Sequence, residues 1–264
     1  MQRKMEHITD FQMDFFHLHG RTALITGGTS GLGQGFTLAL AKAGADIFVV
    51  SLEDDGGETK RLVEAEGVRF HLKIADLTKE GVCREVVEEC IDTFGSLDIL
   101  MNNAGISINE KDVTQFTRLQ WDKMVSVNLN APFELIAEAC PYMIRQESGK
   151  IINTCSLFSF LGGQWSPAYA ATKHGLAGLT KAYCDELAQY NIQVNGIAPG
   201  YFATDVTTAT RADAGANQRV LDHIPAARWG NIVDLMGACV YLASDASNYV
   251  NGTLLTVDGG YLVR

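Results

Sequence analysis

The chain has 264 residues, 47% of them hydrophobic and 20% charged, with a formal net charge of -10. That balance suits a folded domain with a sizeable core rather than a disordered or membrane-spanning chain, and the acidic excess argues against nucleic acid, whose phosphates call for a basic face. Six cysteines, at 83, 90, 140, 155, 184 and 239, form no C-x-x-C pair and follow no secretory or lipidation signal, so reduced thiols in a soluble, cytoplasmic protein are expected.

Residues 1–19 carry Phe11, Met13, Phe15 and Phe16 ahead of the first strand pattern and read as an N-terminal extension, able to pack on a neighbour, to one domain over 20–264. His7, His17 and His19 lack companions at ligand spacing, so no metal is expected. From Thr22 onward, short apolar runs at 22–26, 46–51, 69–74, 97–101, 149–155, 192–197 and 253–257 predict seven strands. Helical patterns fall between them at 31–43, 57–66, 79–94, 114–146, 167–190 and 231–244, the fourth expected to be broken in two by Pro132. The alternation is that of an α/β fold, a doubly wound parallel sheet with helices on both faces. The longest strandless connection, about 200–228, is expected to be a mobile substrate loop.

The run Leu24-Ile25-Thr26-Gly27-Gly28-Thr29-Ser30-Gly31-Leu32-Gly33 leaves the first strand and enters the first helix. Glycines there permit a tight turn and let backbone N–H groups approach a pyrophosphate, while the helix offers unpaired donors and the positive end of its dipole. After the second strand comes Val50-Ser51-Leu52-Glu53-Asp54-Asp55, with no cation to accept a 2′-phosphate and three acids to repel one. NAD is therefore expected in preference to NADP. Asp76, after the third strand, is suited either to an adenine amino group or to capping a helix.

Tyr169 and Lys173 are four residues apart on one helical face. A free phenol ionises near about pH 10, so a tyrosine acting as acid or base at neutral pH needs a nearby positive charge. Lys173 and an oxidised nicotinamide can both supply one. Alone such a pair is common in helices, but here Ile151-Ile152-Asn153-Thr154-Cys155-Ser156 delivers a hydroxyl ahead of it, and Asn102-Asn103-Ala104-Gly105 follows the fourth strand.

With T-G-x-x-x-G-x-G at 26–33, N-N-A-G at 102–105, Ser156, Y-x-x-x-K at 169–173 and Pro199-Gly200, residues 20–264 resemble the short-chain dehydrogenase/reductase family. The resemblance implies a Rossmann-type fold. It also implies that Tyr169 is the general acid or base, that Lys173 favours its phenolate and binds the nicotinamide ribose, that Ser156 polarises the substrate oxygen, and that Asn128 supports a proton relay through water. The dinucleotide is expected against Gly27, Thr29, Ser30, Gly31, Leu32 and Gly33, against Ser51, Leu52, Asp76 and Leu77, and along Asn102, Asn103, Ala104 and Gly105. Tyr169 and Lys173 face its ribose, and Pro199, Gly200, Phe202 and Thr204 its nicotinamide, with Thr204 near the carboxamide. Cys155 reads as a packed small side chain, not a nucleophile.

The stretches 197–204, 211–213, 224–230 and 257–264 resemble the sugar-acid branch of the family, which includes 2-deoxy-D-gluconate 3-dehydrogenase and gluconate 5-dehydrogenase. That branch commonly places basic residues just after N-N-A-G, where this chain has Ile106-Ser107-Ile108-Asn109, and Gln164-Trp165 is uncharged too. Arg211, Arg219 and His223 are the other candidates for a carboxylate partner. Three readings stay open: an NAD-dependent dehydrogenase of a sugar acid or polyol, a broader ketone or 3-oxoacyl-thioester reductase, and a non-catalytic dinucleotide-binding protein. The resemblance also implies a homotetramer.

Overall fold

The computed structural model describes residues 7–163 and 165–264, so Gln164 and the first six residues of the extension lie outside the described residues. Short runs rich in β-branched and aliphatic residues form seven strands: β1 (Thr22–Thr26), β2 (Asp46–Ser51), β3 (Phe70–Ile74), β4 (Ile99–Asn102), β5 (Gly149–Thr154), β6 (Ile192–Pro199) and β7 (Leu254–Val257). All pair in parallel, in the order β3-β2-β1-β4-β5-β6-β7. The chain builds outward from β1 in one direction and returns to its other side with β4. A crevice opens where the winding reverses, at the carboxyl ends of β1 and β4.

Alternate residues of the strands feed opposite faces. On β1, Ala23 and Ile25 join a cluster with Phe36 and Leu40 of helix α1 (Gly31–Lys42) and Leu235, Cys239 and Leu242 of the last helix (Val233–Ala243), while Leu24 points the other way. There it meets Val86, Val87 and Cys90 of the helix Val82–Phe94 and Leu135, Ile136 and Ala139 of the helix Ala131–Gln146. Burial on both faces explains why the strands read as continuous apolar runs.

The extension does not stand apart. Phe15 is buried, Leu18 is fully buried in the first cluster, and the Leu18 N–H donates to the Ala43 carbonyl. Ile8, Phe11 and Met13 remain exposed.

The pattern at 114–146 resolves differently from its expected break. A capping box between Thr117 and Gln120 starts the helix at Arg118–Val125, one wide π turn follows at Ser126–Asn130, and the helix continues through Ala131–Gln146. Pro132 lies in the first turn of that last segment. Its missing N–H cannot serve the Asn128 carbonyl four residues back, and the extra residue of the π turn absorbs the mismatch without breaking the rod. The connection at 200–228 holds two short helices, Thr208–Ala212 and Ala214–His223, the second capped by the Asp213 carboxylate. No described helix is long and apolar enough to cross a membrane.

At the opposite end of the sheet, Lys150 of β5 is 4% exposed and bonds Ser247 Oγ and Asn248 Oδ1. Burial first, then the charge of Arg21, pushes its ammonium down to about 7, with Asp245 opposing. An unfolded lysine titrates near about 10.4, so the penalty is fully present below pH 7 and fades as pH rises toward that value. Lys150→Met should therefore gain stability relative to the parent most at pH 7 and less at each step toward pH 10. Thermal denaturation of both proteins across that range checks this, and a pH-independent difference contradicts it.

Candidate active site

Beyond β1 the chain turns sharply at Gly27, whose φ is +63° and where a Cβ would press the Ala104 Cα at 3.2 Å. A Cβ at Gly33 would stand 2.0 Å from the Gly27 carbonyl oxygen and 2.4 Å from Asn103 Nδ2, so only glycine lets α1 start this close to the turn. Gly31, in contrast, has φ +51° and faces open space. Ser30 is the N-cap of α1, yet its side chain makes no capping bond. Among the described residues the first-turn N–H groups thus have neither intrahelical nor side-chain partners beside an open, Cβ-free cradle, which fits a pyrophosphate. Leu32 packs against the first core cluster.

Toward the adenosine end, Thr29 and Ser51 share a hydroxyl hydrogen bond of 2.8 Å, tying the glycine loop to the end of β2. Leu52 is exposed. Two of the three following acids have structural work at the helix Glu58–Glu64: Asp54 accepts from the Gly57 N–H at 3.1 Å, and Asp55 accepts from the N–H and hydroxyl of Thr59. Asp76 Oδ1 likewise accepts from the Thr78 N–H (3.0 Å) and hydroxyl (2.7 Å), which holds its carboxyl below the usual range. Asp76 therefore caps a turn ahead of the helix Val82–Phe94, whose own N-cap is Gly81, and Leu77 packs against the second cluster.

The N-N-A-G segment acts chiefly as a brace. Asn103 Nδ2 donates to the carbonyls of Thr26 (3.0 Å) and Gly27 (3.2 Å), while Thr26 Oγ1 accepts the N–H groups of Asn103 and Ala104, both at 2.9 Å. The Asn103 side chain shapes the glycine loop rather than reaching outward. Asn102 Nδ2 donates to Asn153 Oδ1, and Asn153 in turn donates to Thr180. Asn102 Oδ1 is a buried acceptor without a partner among the described residues. Gly105 runs past the chemical groups: a Cβ there would lie 3.4 Å from Asn128 Oδ1 and 3.8 Å from Lys173 Nζ.

Tyr169 and Lys173 share the helix Pro167–Leu187. Lys173 is buried, its Nζ donates to the Thr154 carbonyl at 2.6 Å, and the ammonium lies 5.5 Å from the centre of the Tyr169 ring. Ser156, two residues beyond Thr154, is also buried; its Oγ accepts from the Phe158 N–H at 3.2 Å, a bond that leaves its own proton available. The Phe158 ring meets Tyr169 edge-on at 5.8 Å. Asn128 sits in the π turn, where its carboxamide clasps Ile106, accepting the N–H and donating to the carbonyl at 2.8 Å each. It also donates to Thr172 Oγ1 at 3.3 Å, and that hydroxyl donates to the Tyr169 carbonyl. Burial pushes the Cys155 thiol up, and a Cβ on Gly196 would press its sulfur at 2.8 Å, so it is a packed side chain as its sequence context suggests.

Pro199 ends β6, and Gly200 lies so close to Asp258 that a Cβ would stand 2.6 Å from its Cα. Phe202 is buried in the first cluster, its ring filling the space beside Gly230, so only its backbone is left to face a nicotinamide. The Thr204 N–H donates to Thr207 Oγ1, and the Thr204 carbonyl accepts from Arg211 at 3.0 Å. Ser159, Thr154 and Thr172 bond these groups directly and were not among the expected site residues; only the spacing Ser156-x-x-Ser159 offered a signal.

The family model described as short chain dehydrogenase matches residues 21–215. The chain belongs to the short-chain dehydrogenase family. It is 63% identical to the oxidoreductase YgcW of Escherichia coli over 98% of this chain and 99% of that one. It is 47% identical to the 2-dehydro-3-deoxy-D-gluconate 5-dehydrogenase of Bacillus subtilis, over 95% and 98%. The solved gluconate 5-dehydrogenase of Burkholderia cenocepacia, in complex with NADP and tartrate, superposes with a TM-score of 0.90 at 38% identity, covering 95% of this chain and 98% of that one. This short-chain dehydrogenase is accordingly an oxidoreductase that moves a hydride between a nicotinamide dinucleotide and a secondary alcohol or ketone.

Proposed function

We propose that this short-chain dehydrogenase interconverts a secondary alcohol and a ketone on a sugar acid, using Tyr169, Lys173, Ser156 and Asn128. The observation that carries the reading is the tie between Lys173 Nζ and the Thr154 carbonyl, since one segment, 154–156, then holds both the ammonium beside Tyr169 and the Ser156 hydroxyl. In reduction, Ser156 and Tyr169 donate to the substrate oxygen, and Tyr169 gives up its proton as alkoxide charge develops there. Lys173 favours the resulting phenolate. Asn128, held on Ile106, backs the site from which solvent returns the proton. The glycine loop would hold the pyrophosphate of a bound dinucleotide, and Pro199, Gly200 and Thr204 its nicotinamide, which would supply or accept the hydride. Oxidation runs the same steps backward.

NAD is the dinucleotide this reading prefers. Ser51 is bonded to Thr29, Leu52 is exposed and Glu53 follows, so the sequence just past β2 offers a 2′-phosphate no cation. The Burkholderia relative holds NADP. Comparing kcat/KM for the two dinucleotides decides the point: at least about tenfold in favour of NAD supports the assignment, a preference for NADP rejects it, and Leu52→Arg should move the ratio toward NADP.

For the substrate carboxylate the reading favours Arg211. Its guanidinium bonds only neutral oxygens, the Thr204 carbonyl and the hydroxyls of Thr207 and Thr208, and no carboxylate among the described residues pairs with it. The His223 ring packs at a 47° tilt against Tyr261, and Arg219 is exposed. Steady-state assays on D-gluconate, 2-dehydro-3-deoxy-D-gluconate, 5-keto-D-gluconate and uncharged polyols test the class. Turnover of an acid, with Arg211→Gln raising KM about tenfold for the acid but not for a polyol, supports it. Activity confined to neutral compounds selects the broader ketone-reductase reading. A homotetramer in the cytoplasm is part of the proposal; the exposed Leu119, Trp121 and Phe133 along the rod 118–146 support the assembly, which gel filtration tests.

A further inference from the structure

Ser159 closes the short turn Leu157–Ser159 that follows Ser156, and it is 7% exposed. Its hydroxyl accepts the Ser156 N–H at 3.3 Å and donates to the Lys173 carbonyl at 2.9 Å. Both directions are fixed by chemistry, because an N–H can only donate and a carbonyl can only accept. One side chain thus bridges the backbones of two residues that carry the proposed reaction.

The bridge is the second of two crossed ties. Lys173 reaches from its helix to the Thr154 carbonyl, while Ser159 reaches from the strand-end turn to the Lys173 carbonyl. Between them, segment 154–159 is anchored to one turn of helix at two points, with the Phe158 ring against Tyr169 as a further contact. A single tie would leave that segment free to pivot about it; the second removes the pivot. Neither bond of Ser159 touches the glycine-rich loop.

We propose that Ser159 is a positioning residue of the reaction, holding Ser156 at the distance from Tyr169 and Lys173 at which hydroxyl and phenol converge on one substrate oxygen. The inference rests on the reading of Ser156 and Tyr169 as the proton-handling pair. Because Ser159 acts through Ser156, its loss should cost turnover only while Ser156 is present, and dinucleotide affinity should not follow it.

The test is a double-mutant cycle on the full chain: the parent, Ser159→Ala, Ser156→Ala and the double variant. Each is assayed at saturating dinucleotide on the acids and polyols named above, with NADH affinity read by fluorescence and folding by thermal denaturation. Ser159→Ala should lower kcat on the order of ten- to a hundredfold, as expected for a displaced reacting group, and leave NADH affinity within about twofold. The double variant should be no slower than Ser156→Ala alone, and Ser159→Thr, which restores a hydroxyl, should recover part of the rate. Unchanged kcat in Ser159→Ala, or the same factor lost with and without Ser156, overturns the proposal. If Ser159→Ala does not fold, Ser159→Cys, which keeps the volume and weakens both bonds, is read in the same cycle by the same criteria. Should Ser156→Ala be as fast as the parent, or the parent turn over none of the compounds, the catalytic reading itself falls and this inference with it; an impaired Ser156→Ala beside an unimpaired Ser159→Ala removes this inference alone.

Discussion

Tyr169→Phe should lower turnover by about a thousandfold or more while leaving dinucleotide affinity within about twofold of the parent. The ring can still meet Phe158 edge-on and still lie beside the Lys173 ammonium, so the helix and the cofactor crevice have no reason to move. What disappears is the transferable proton. With Ser156 alone donating to the substrate oxygen, alkoxide charge is only partly stabilised and no neighbouring group completes the transfer. Steady-state kinetics together with NADH titration check both halves. A variant that keeps a tenth or more of the parental rate, or that loses NADH binding in proportion to rate, contradicts the assignment.

Gly33→Ala should be nearly as damaging by a different route, through loss of nucleotide binding. Its Cβ would lie 2.0 Å from the Gly27 carbonyl oxygen, which is backbone and cannot rotate away, and 2.4 Å from Asn103 Nδ2, which already serves two carbonyls of the loop. Either α1 withdraws from the turn or the turn opens, and both spoil the cradle of N–H groups at the start of the helix. The expected outcome is a dinucleotide Kd raised about a hundredfold and a stability loss of about 1–3 kcal/mol. Gly31→Ala is the matched control for folding only: its Cβ meets no neighbouring atom and just the positive φ is strained, while that Cβ would enter the cradle itself. Isothermal titration reads the Kd of Gly33→Ala, and denaturant unfolding of the two variants distinguishes close packing from general loop sensitivity; equal stability losses in both would refute the packing argument.

Much of this was legible in the sequence because the signals were local. Each strand is short, apolar and bounded by helical pattern, and Tyr169 and Lys173 share a face by spacing alone. What escaped depends on atoms distant in the chain. The pattern through 114–146 is continuously helical, so Pro132 suggested a break, whereas a π turn at Ser126–Asn130 takes up the strain and carries Asn128. Asp76, by contrast, was open in the sequence to two roles, and Thr78, two residues on, meets the capping one through a single oxygen. Asn103 is a good hydrogen-bonding residue at a good place, yet its amide faces back to Thr26 and Gly27 across 77 and 76 positions of chain. Phe202 is drawn into the core because Gly230 leaves room for its ring. Ser159 bonds across 14 residues to a backbone carbonyl, which no periodicity announces.

The most direct test of the central claim is transfer of the hydride itself. The purified protein would be given NAD and D-gluconate deuterated at its secondary carbinol carbons, in ordinary water, and the dinucleotide product examined by mass spectrometry, with the other sugar acids and polyols deuterated in the same way if gluconate is inert. Direct transfer at the Ser156–Tyr169–Lys173 site predicts reduced dinucleotide carrying one deuterium, formed by the parent and not by Tyr169→Phe. Unlabelled product, or no reduced dinucleotide from any of these alcohols with NAD or NADP, would contradict it.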